Sequence, residues 1–322
     1  MNQPLHAPLL TLLDRYQRDF PLQSAPFALL AAECGLTETT LLHRLQQARD
    51  SGLLGRIGAV FAPNTVGVST LAALAVPPAQ RDAIAAQISA LPQVNHNYAR
   101  DHHYNLWFVL TAPDRAGIDA ALAQIASCTG YPPLDLPLQH EYHIDLGFAL
   151  GASGPARRPT LSPAAPRLDD GDRRLIAALN EGIALQPRPF TLLADACGLP
   201  EDVVLQRLQH WVASGVIRRF GMVLRHHELG FRANAMCVWQ VPPAARDAIG
   251  TALATDPAVT LCYARPPQGA HWPYNLFCMI HARDAASAHA AAQRLAASHG
   301  LAALPQAVLI STRRYTQRGA RY

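Results

Sequence analysis

The sequence predicts an α+β protein built as a tandem repeat, in which each copy holds a winged helix-turn-helix followed by a ferredoxin-like βαββαβ module. Two observations carry this prediction. Residues 26–61 align without a gap on residues 189–224, with 18 identities in 36 positions. In both copies a helix-rich stretch then gives way to short apolar strands separated by helical patterns. Such repetition indicates two homologous units fused in one chain.

The helix-rich stretch of each copy has the order helix, turn, helix, strand. In the first copy, predicted at residues 1–60, FALLAAECG is a helix that ends near Gly35, TETTLLHRLQQARDSG is the second helix, and LLGRIGAVF is a strand. The second copy, predicted at 168–222, repeats this order with Pro200 at a helix start and Gly215 at its end. This order is typical of a winged helix-turn-helix.

The second part of each copy mixes strands and helices. In the later copy, predicted at 223–322, strands ANAMCVWQV, VTLCYAR, NLFCMIHA and QAVLISTRRY surround helices PPAARDAIGTALATDP and AASAHAAAQRLAASHG. The earlier copy, predicted at 61–150, matches this order, which is that of a ferredoxin-like module. Residues 151–167 are rich in Gly, Pro, Ser and Ala, and we interpret them as the linker between the copies.

Composition narrows the class of protein. The chain has 322 residues, enough for several domains, and half of them are hydrophobic. The N-terminus lacks a basic signal-peptide region and no apolar run is long enough to cross a bilayer, so we expect a cytoplasmic protein without a membrane partner. None of the six cysteines forms a CxxC pair, which favours buried reduced thiols over a disulfide or zinc framework.

All 27 basic residues are arginine, because the chain contains no lysine. This composition excludes a catalytic lysine Schiff base, including the usual pyridoxal phosphate linkage. Arginine suits bidentate binding of carboxylates. The net charge of +4 is too small to indicate a nucleic-acid partner by itself.

Long strings in both copies carry a resemblance to a known family. A winged helix followed by a βαββαβ module resembles the Lrp/AsnC transcription regulators. More narrowly, the strings IRRFGMVLRHHELGFRANAMCVWQVP, CYARPPQGAHWPYNLFCMIHARD and EYHIDLGF resemble the siroheme decarboxylases, Lrp/AsnC-like enzymes that occur as two related subunits or in a fused form. Lrp/AsnC-like modules pair through their sheets, so the resemblance implies an intramolecular pseudo-dimer, with a further homodimer possible.

The resemblance also implies the chemistry. A siroheme decarboxylase removes carbon dioxide from two pyrrole acetate side chains of siroheme and gives didecarboxysiroheme, on the way to haem d1 or in the alternative haem pathway. The partners are then siroheme and its product. No organic cofactor and no separate metal site are implied, because siroheme carries its own iron.

The alternative to a decarboxylase is a tetrapyrrole-responsive Lrp/AsnC-type transcription regulator. A third hypothesis is a non-catalytic carrier in haem d1 assembly. A regulator needs basic residues on the helix that reads DNA. In the first copy that helix offers Arg44 and Arg49, but in the second it offers Arg207 with Glu201 and Asp202 at its start. We therefore expect no specific DNA binding.

Proton-active side chains gather in the ferredoxin-like modules and next to the second helix-turn-helix. Histidine titrates near neutral pH, and a buried tyrosine is a weaker proton donor. A five-residue insertion in the second copy adds a lid-like loop that ends near a histidine. The alternative interpretation is a hydrated surface loop. The candidate catalytic residues are His96, His226, His227, Tyr263 and His271.

Siroheme also needs cations for its carboxylates and an apolar slot for its ring. Arginines flank both histidine-rich segments, and large aromatic residues occur on neighbouring strands. The alternative for the aromatic residues is ordinary core packing. The candidate substrate-binding residues are Arg100, Arg225, Arg265, Trp239, Trp272, Tyr98 and Asn275. The two copies carry histidine at different positions, which leaves open whether they form one composite site or two.

Overall fold

A computed structural model describes residues 7–144, 163–224 and 233–322. The chain forms two compact units, and each unit combines one part of the first copy with one part of the second. The helical unit comprises Met1–Val66 and Gly147–Leu229, and the sheet unit comprises Gly67–Leu146 and Gly230–Tyr322. Among the described residues, no helix is long and apolar enough to cross a membrane.

The first copy contributes five helices and six strands within its described part. They are α1 (Ala7–Arg15), α2 (Pro26–Glu33), α3 (Glu38–Asp50), β1 (Leu54–Phe61), β2 (Val68–Leu74), α4 (Arg81–Ala90), β3 (Val94–Arg100), β4 (Leu106–Ala112), α5 (Arg115–Thr129), β5 (Leu134–Pro137) and β6 (His140–Ile144).

The described part of the second copy repeats this order. Its elements are α6 (Asp170–Ala178), α7 (Pro189–Cys197), α8 (Glu201–Ala213), β7 (Ile217–Leu224), β8 (Ala233–Trp239), α9 (Pro243–Leu253), β9 (Val259–Ala264), β10 (Leu276–Ala282), α10 (Ala285–Ser298) and β11 (Gln306–Gln317).

The helical unit confirms the predicted helix-turn-helix pairs and adds a helix before each. Thr37 caps α3, because its side chain accepts a hydrogen bond from the Thr40 backbone N–H at 3.2 Å. Neither α1 nor α6 was predicted from the sequence. For α6 a signal exists, since Asp169 and Asp172 form a reciprocal capping box at its start.

The strand after each helix pair differs from the predicted wing. Over the part of the chain that the structure describes, β1 does not form a hairpin within its own copy. It pairs antiparallel with β7 of the second copy, with Gly58 opposite Gly221. A single strand would leave its backbone N–H and C=O groups unpaired, and the equivalent strand of the other copy satisfies them.

The sheet unit confirms the predicted ferredoxin-like order in both copies and joins them. The described strands form one nine-stranded sheet in the order β5-β2-β4-β3-β11-β8-β10-β9-β6. Residues 306–310 of β11 pair with β8, and residues 311–317 pair with β3 of the first copy. The first copy matches this exchange, because β5 pairs with β2 and β6 pairs with β9. The two modules therefore pair within one chain.

Three hydrophobic clusters fill the sheet unit. Two of them lie between the strands and the helices of one copy. The third, the inner cluster, draws on strands of both copies and on no helix. Its buried members are Leu71, Ala73, Trp107, Leu136, Met236, Val238, Tyr263, Trp272, Phe277, Met279 and Leu309.

The cysteines only partly follow the prediction of buried thiols. Cys197, Cys237, Cys262 and Cys278 are buried, and Cys34 is half-buried. Cys128 is exposed, contrary to the prediction, and lies in the last turn of α5 beyond its last buried residue, Ile125.

The exchanged strands also bind the helices of the other copy. Tyr142 of β6 donates a hydrogen bond to Asp247 of α9 at 2.5 Å, and its ring lies where a Cβ on Gly250 would be. The equivalent Tyr315 of β11 donates to Asp82. Each exchanged strand is therefore held by side chains as well as by its backbone.

Removing the Tyr142 ring should destabilise the protein far more than removing its hydroxyl. We expect Tyr142→Ala to lower the free energy of unfolding by about 2 kcal/mol, since it leaves a gap over Gly250. Tyr142→Phe keeps the ring and should cost under about 1 kcal/mol, because Asp247 is exposed to water. Denaturant unfolding of both variants measures this difference, and equal losses would contradict the packing role.

Candidate functional site

Two buried arginines occupy equivalent positions in the two ferredoxin-like modules. Arg100 ends β3 and Arg265 directly follows β9; their side chains are 6 % and 9 % exposed. Arg100 donates from Nη1 to the Leu309 carbonyl at 2.8 Å. Arg265 donates from Nη1 to the Leu136 carbonyl, the counterpart of Leu309 in the first copy. Each guanidinium thus contacts the last strands of the opposite copy.

Neither arginine forms an ion pair within the described residues, although Asp135, which is bound to Arg115, raises the pKa of Arg265 through its charge. Among the described residues, no carboxylate forms a salt bridge with Arg100 or Arg265, and the Nε–H of each is buried without a hydrogen-bond acceptor. Burial lowers the pKa of Arg100 to about 10 and also lowers the pKa of Arg265. Buried charges in proteins are ordinarily paired. The two guanidinium groups therefore fit the role of receptors for a carboxylate.

Aromatic rings of both copies surround Trp272 in the inner cluster. Trp272 is fully buried, and its indole Nε1–H has no acceptor within the described ranges. Rings of both copies have their centroids 4.9–6.1 Å from its own. The neighbours are His102, Tyr104 and Trp107 of the first copy, and Tyr274 and Phe277 of the second. We call these six rings the aromatic cluster.

Tyr263 connects the aromatic cluster to Arg265. Its ring stacks on Phe277 at 5.6 Å, and the Arg265 guanidinium carbon lies 4.7 Å from the centroid of the same ring. Burial raises the pKa of Tyr263, so its hydroxyl stays protonated at neutral pH. Tyr263, Arg265 and Trp272 are thus three predicted residues that the structure brings together.

A second group of predicted residues lies along β3. His96 is half-buried, and its Nδ1 lies 2.9 Å from the Asn95 amide oxygen. Since an amide oxygen only accepts, Nδ1 is the donor. The ring of His96 stacks on Tyr98 at 6.2 Å, and the Arg100 guanidinium lies 5.9 Å from the Tyr98 centroid. Burial raises the pKa of Tyr98. His96, Tyr98 and Arg100 therefore lie on one strand, and the Tyr98 ring contacts both of the others.

One histidine of the aromatic cluster was not among the predicted residues. His102 accepts a hydrogen bond at Nδ1 from the Tyr104 backbone N–H at 3.1 Å. Burial is the main cause that lowers its pKa, and His103 lowers it further, so the ring is neutral near pH 7. The string DHHYN marks a polar hairpin in the sequence, but nothing in it shows that this ring packs against Trp272.

Three predicted residues do not join these groups. Trp239 lies between sheet and helices, because neighbouring residues of a strand point to opposite faces and Val238 takes the inner one. His271 is exposed on a short helix, Gly269–His271. Asn275 bonds the Val241 backbone with both its oxygen and its nitrogen, at 2.9 and 2.8 Å. The predicted residues Arg225, His226 and His227 lie outside the described residues.

Asn275 therefore has a structural role that the sequence did not indicate. Asn105, its counterpart in the first copy, bonds the Val76 backbone in the same way, at 3.2 and 2.8 Å. We expect Asn275→Ala and Asn105→Ala each to lower the free energy of unfolding by about 1–3 kcal/mol, because a backbone N–H and a carbonyl lose their partner. Chemical denaturation measures the loss, and unchanged stability in both variants would refute the structural role.

Comparisons with known protein families match both parts of each copy. Residues 65–143 and 228–316 match the AsnC-like ligand binding domain. Residues 11–54 and 172–218 match the siroheme decarboxylase NirDL-like HTH domain.

Individual relatives and solved structures agree with these family matches. The siroheme decarboxylase NirDL subunit of Paracoccus pantotrophus is 46% identical over 97% of this chain and 96% of its own. The NirD subunit of Stutzerimonas stutzeri is 55% identical over 44% of this chain and 92% of its own. The crystal structure of the siroheme decarboxylase NirDL matches with a TM-score of 0.72 at 26% identity, covering 98% of this chain and 94% of that one. The same enzyme has also been solved with an iron-uroporphyrin III analogue. This chain belongs to the siroheme decarboxylase family, in its fused NirDL form.

Proposed function

We propose that this chain is a siroheme decarboxylase, a carboxy-lyase that acts on the acetate side chains of siroheme. The observation that supports it within the structure is the pair Arg100 and Arg265, two buried cations that form no salt bridge with a described carboxylate and that border apolar, aromatic surroundings. Siroheme is a planar ring that carries several carboxylates. Its rings and its charges match these two features, in a chain similar to siroheme decarboxylases over its whole length.

Arg100 and Arg265 would bind the carboxylates of siroheme through the N–H groups that the protein leaves unused. Each already donates from Nη1 to a carbonyl, which fixes its direction and leaves Nε–H for a ligand. Hydrogen bonds to charged groups are about twice as strong as those between neutral groups. Trp272 holds one further buried donor that has no described acceptor, and Tyr98 lies next to Arg100.

The reaction breaks the bond between the acetate methylene and its carboxylate. Carbon dioxide leaves, the electron pair delocalises into the conjugated ring, and a proton added to the methylene carbon completes a methyl group. No organic cofactor is needed, because the macrocycle itself takes up the electrons. Two such events give didecarboxysiroheme, the product expected on the way to haem d1 or haem.

His96 is the first candidate to deliver that proton, because it is half-buried and lies on the same strand as Arg100. Its Nδ1 donates to Asn95, so the protonated imidazolium would deliver the proton on Nε2 and leave the neutral ring with its proton on Nδ1. General acid catalysis of this kind contributes roughly 10²–10⁴-fold to the rate. His226, His227, Tyr263 and His271 remain candidates for the same role, and the raised pKa of Tyr263 makes it a neutral donor rather than a base.

We also propose that the helical unit does not read DNA. Arg207 is the main basic residue of α8, and it is bound by Asp169 at 2.8 Å and by Asp172 at 2.5 Å. An arginine neutralised in this way is a poor phosphate ligand. The helix-turn-helix pairs would then serve as a scaffold.

Purified protein should convert siroheme under anaerobic conditions to a pigment that has lost two molecules of carbon dioxide, without any added organic cofactor. Mass spectrometry of the pigment measures this directly. A protein that binds siroheme without changing its mass, and that binds a DNA sequence selectively in a mobility-shift assay, would contradict the decarboxylase and favour the regulator.

Arginine and histidine variants should separate binding from turnover. Arg100→Gln and Arg265→Gln should each weaken siroheme binding about tenfold or more, because a charged hydrogen bond is lost. His96→Ala should bind siroheme normally and slow decarboxylation, since only the proton transfer is affected. Absorbance titration gives the affinity, and timed mass spectrometry gives the rate. Losing one proton donor should also make the monodecarboxylated pigment accumulate.

Exposed residues of α10 supply the controls. Arg294→Gln and His289→Ala change the same residue types on the outer surface and should leave both affinity and rate unchanged. The histidine assignment is wrong if His96→Ala, His226→Ala, His227→Ala and His271→Ala all keep full double decarboxylation.

A further inference from the structure

Arg100 has an uncharged partner in the second copy that Arg265 lacks in the first. Its Nη2 donates to the side-chain oxygen of Asn234 on β8 at 3.0 Å, and its Nη1 lies 3.4 Å from the Asn234 backbone carbonyl. Together with the Leu309 carbonyl, these contacts hold both terminal nitrogens of the guanidinium. The buried Nε–H and the second N–H of Nη2 are the donors that these contacts leave unused.

The hydrogen bonds of Asn234 continue across the sheet with a fixed direction. Arginine can only donate, so the amide oxygen of Asn234 must face it and the amide nitrogen must face His281, whose Nε2 lies 2.9 Å away. Nε2 of His281 is then an acceptor, and its Nδ1–H faces the Thr260 hydroxyl at 3.0 Å. That hydroxyl donates to the Met279 carbonyl at 3.1 Å. Each group has one permitted orientation, so Asn234 cannot turn its nitrogen towards Arg100 without breaking the chain.

We propose that Asn234 is a positioning residue for siroheme binding, which acts by aiming the Arg100 guanidinium at a substrate carboxylate without neutralising it. This inference rests on the proposed function of Arg100. A carboxylate at position 234 would hold the guanidinium equally well, but it would compete with the carboxylate of the substrate and repel it. An amide supplies the hydrogen bond and leaves the positive charge for the ligand.

The two copies differ at this position, which makes the two arginines unequal. Ser69 of β2 faces Thr111 in the sheet register, as Asn234 faces His281, and serine is too short to provide the same amide bridge. Both arginines lie over a tyrosine ring, Arg265 at 4.7 Å from the Tyr263 centroid and Arg100 at 5.9 Å from that of Tyr98, so the amide is the support that only Arg100 has. Because the two guanidinium groups are supported by different partners, they are suited to two differently placed carboxylates of one asymmetric tetrapyrrole.

Asn234→Asp and Asn234→Leu separate this role from a merely structural one. We expect Asn234→Asp to be at least as stable as the wild type, since it pairs a buried cation, and yet to raise the siroheme Kd about tenfold or more. Asn234→Leu should be less stable but raise the Kd only a few-fold, because the guanidinium keeps its charge. Thermal unfolding and absorbance titration with siroheme measure the two properties. We therefore expect the more stable variant, Asn234→Asp, to bind siroheme more weakly than the less stable variant, Asn234→Leu.

A structural role predicts the reverse, with affinity following stability and the aspartate variant binding better than the leucine variant. That result would overturn the inference, as would unchanged affinity in Asn234→Asp. Asn234→Ser, which keeps a hydroxyl acceptor, replaces the leucine variant if the latter does not fold.

Asn180→Asp makes the same charge change in the helical unit and should bind and decarboxylate siroheme like the wild type. If the wild type decarboxylates siroheme and Asn234→Asp binds siroheme with the same affinity, only this inference is refuted. If the wild type does not decarboxylate siroheme, the proposed function is refuted.

Discussion

The exchange of the last strands between the two ferredoxin-like modules positions the candidate site. β11 continues from its own β8 onto β3 of the first copy, and β5 and β6 make the equivalent pair of contacts. This exchange carries the carbonyls of Leu309 and Leu136 to Arg100 and Arg265 of the opposite copies. Neither module alone would present its arginine in this way, so the fused chain, or two paired subunits, is needed to build the site.

The groups that hydrogen-bond the two arginines share one property, which is that none of them carries a charge. A backbone carbonyl and a tyrosine ring contact each guanidinium, and an amide also holds Arg100, while burial lowers the pKa of both arginines and leaves the Nε–H of each unused. A buried, unneutralised cation reduces the stability of the unliganded protein. A carboxylated ligand would offset that cost when it binds, and this makes the arrangement selective for anions over neutral rings.

Repeats and motifs in the sequence predicted the order of the elements and both arginines, because local patterns and matching strings report them. They did not predict the pairing of β1 with β7, because the residues of an apolar strand do not determine which other strand it pairs with. The alternation of Val238 and Trp239 along β8 was visible in the sequence, but which of the two faces the inner cluster depends on tertiary packing. For the same reason the unused Nε–H groups, the single fixed orientation of Asn234 and the backbone bonds of Asn275 emerge only from the folded chain.

The proposed role of Arg100 and Arg265 is to receive the carboxylates of the tetrapyrrole. A crystal structure of this protein with siroheme bound under anaerobic conditions tests that role most directly. We expect siroheme carboxylate oxygens within hydrogen-bond distance of Nε of Arg100 and of Arg265, with the ring plane against the aromatic cluster around Trp272. A bound siroheme whose carboxylates contact neither arginine would contradict it.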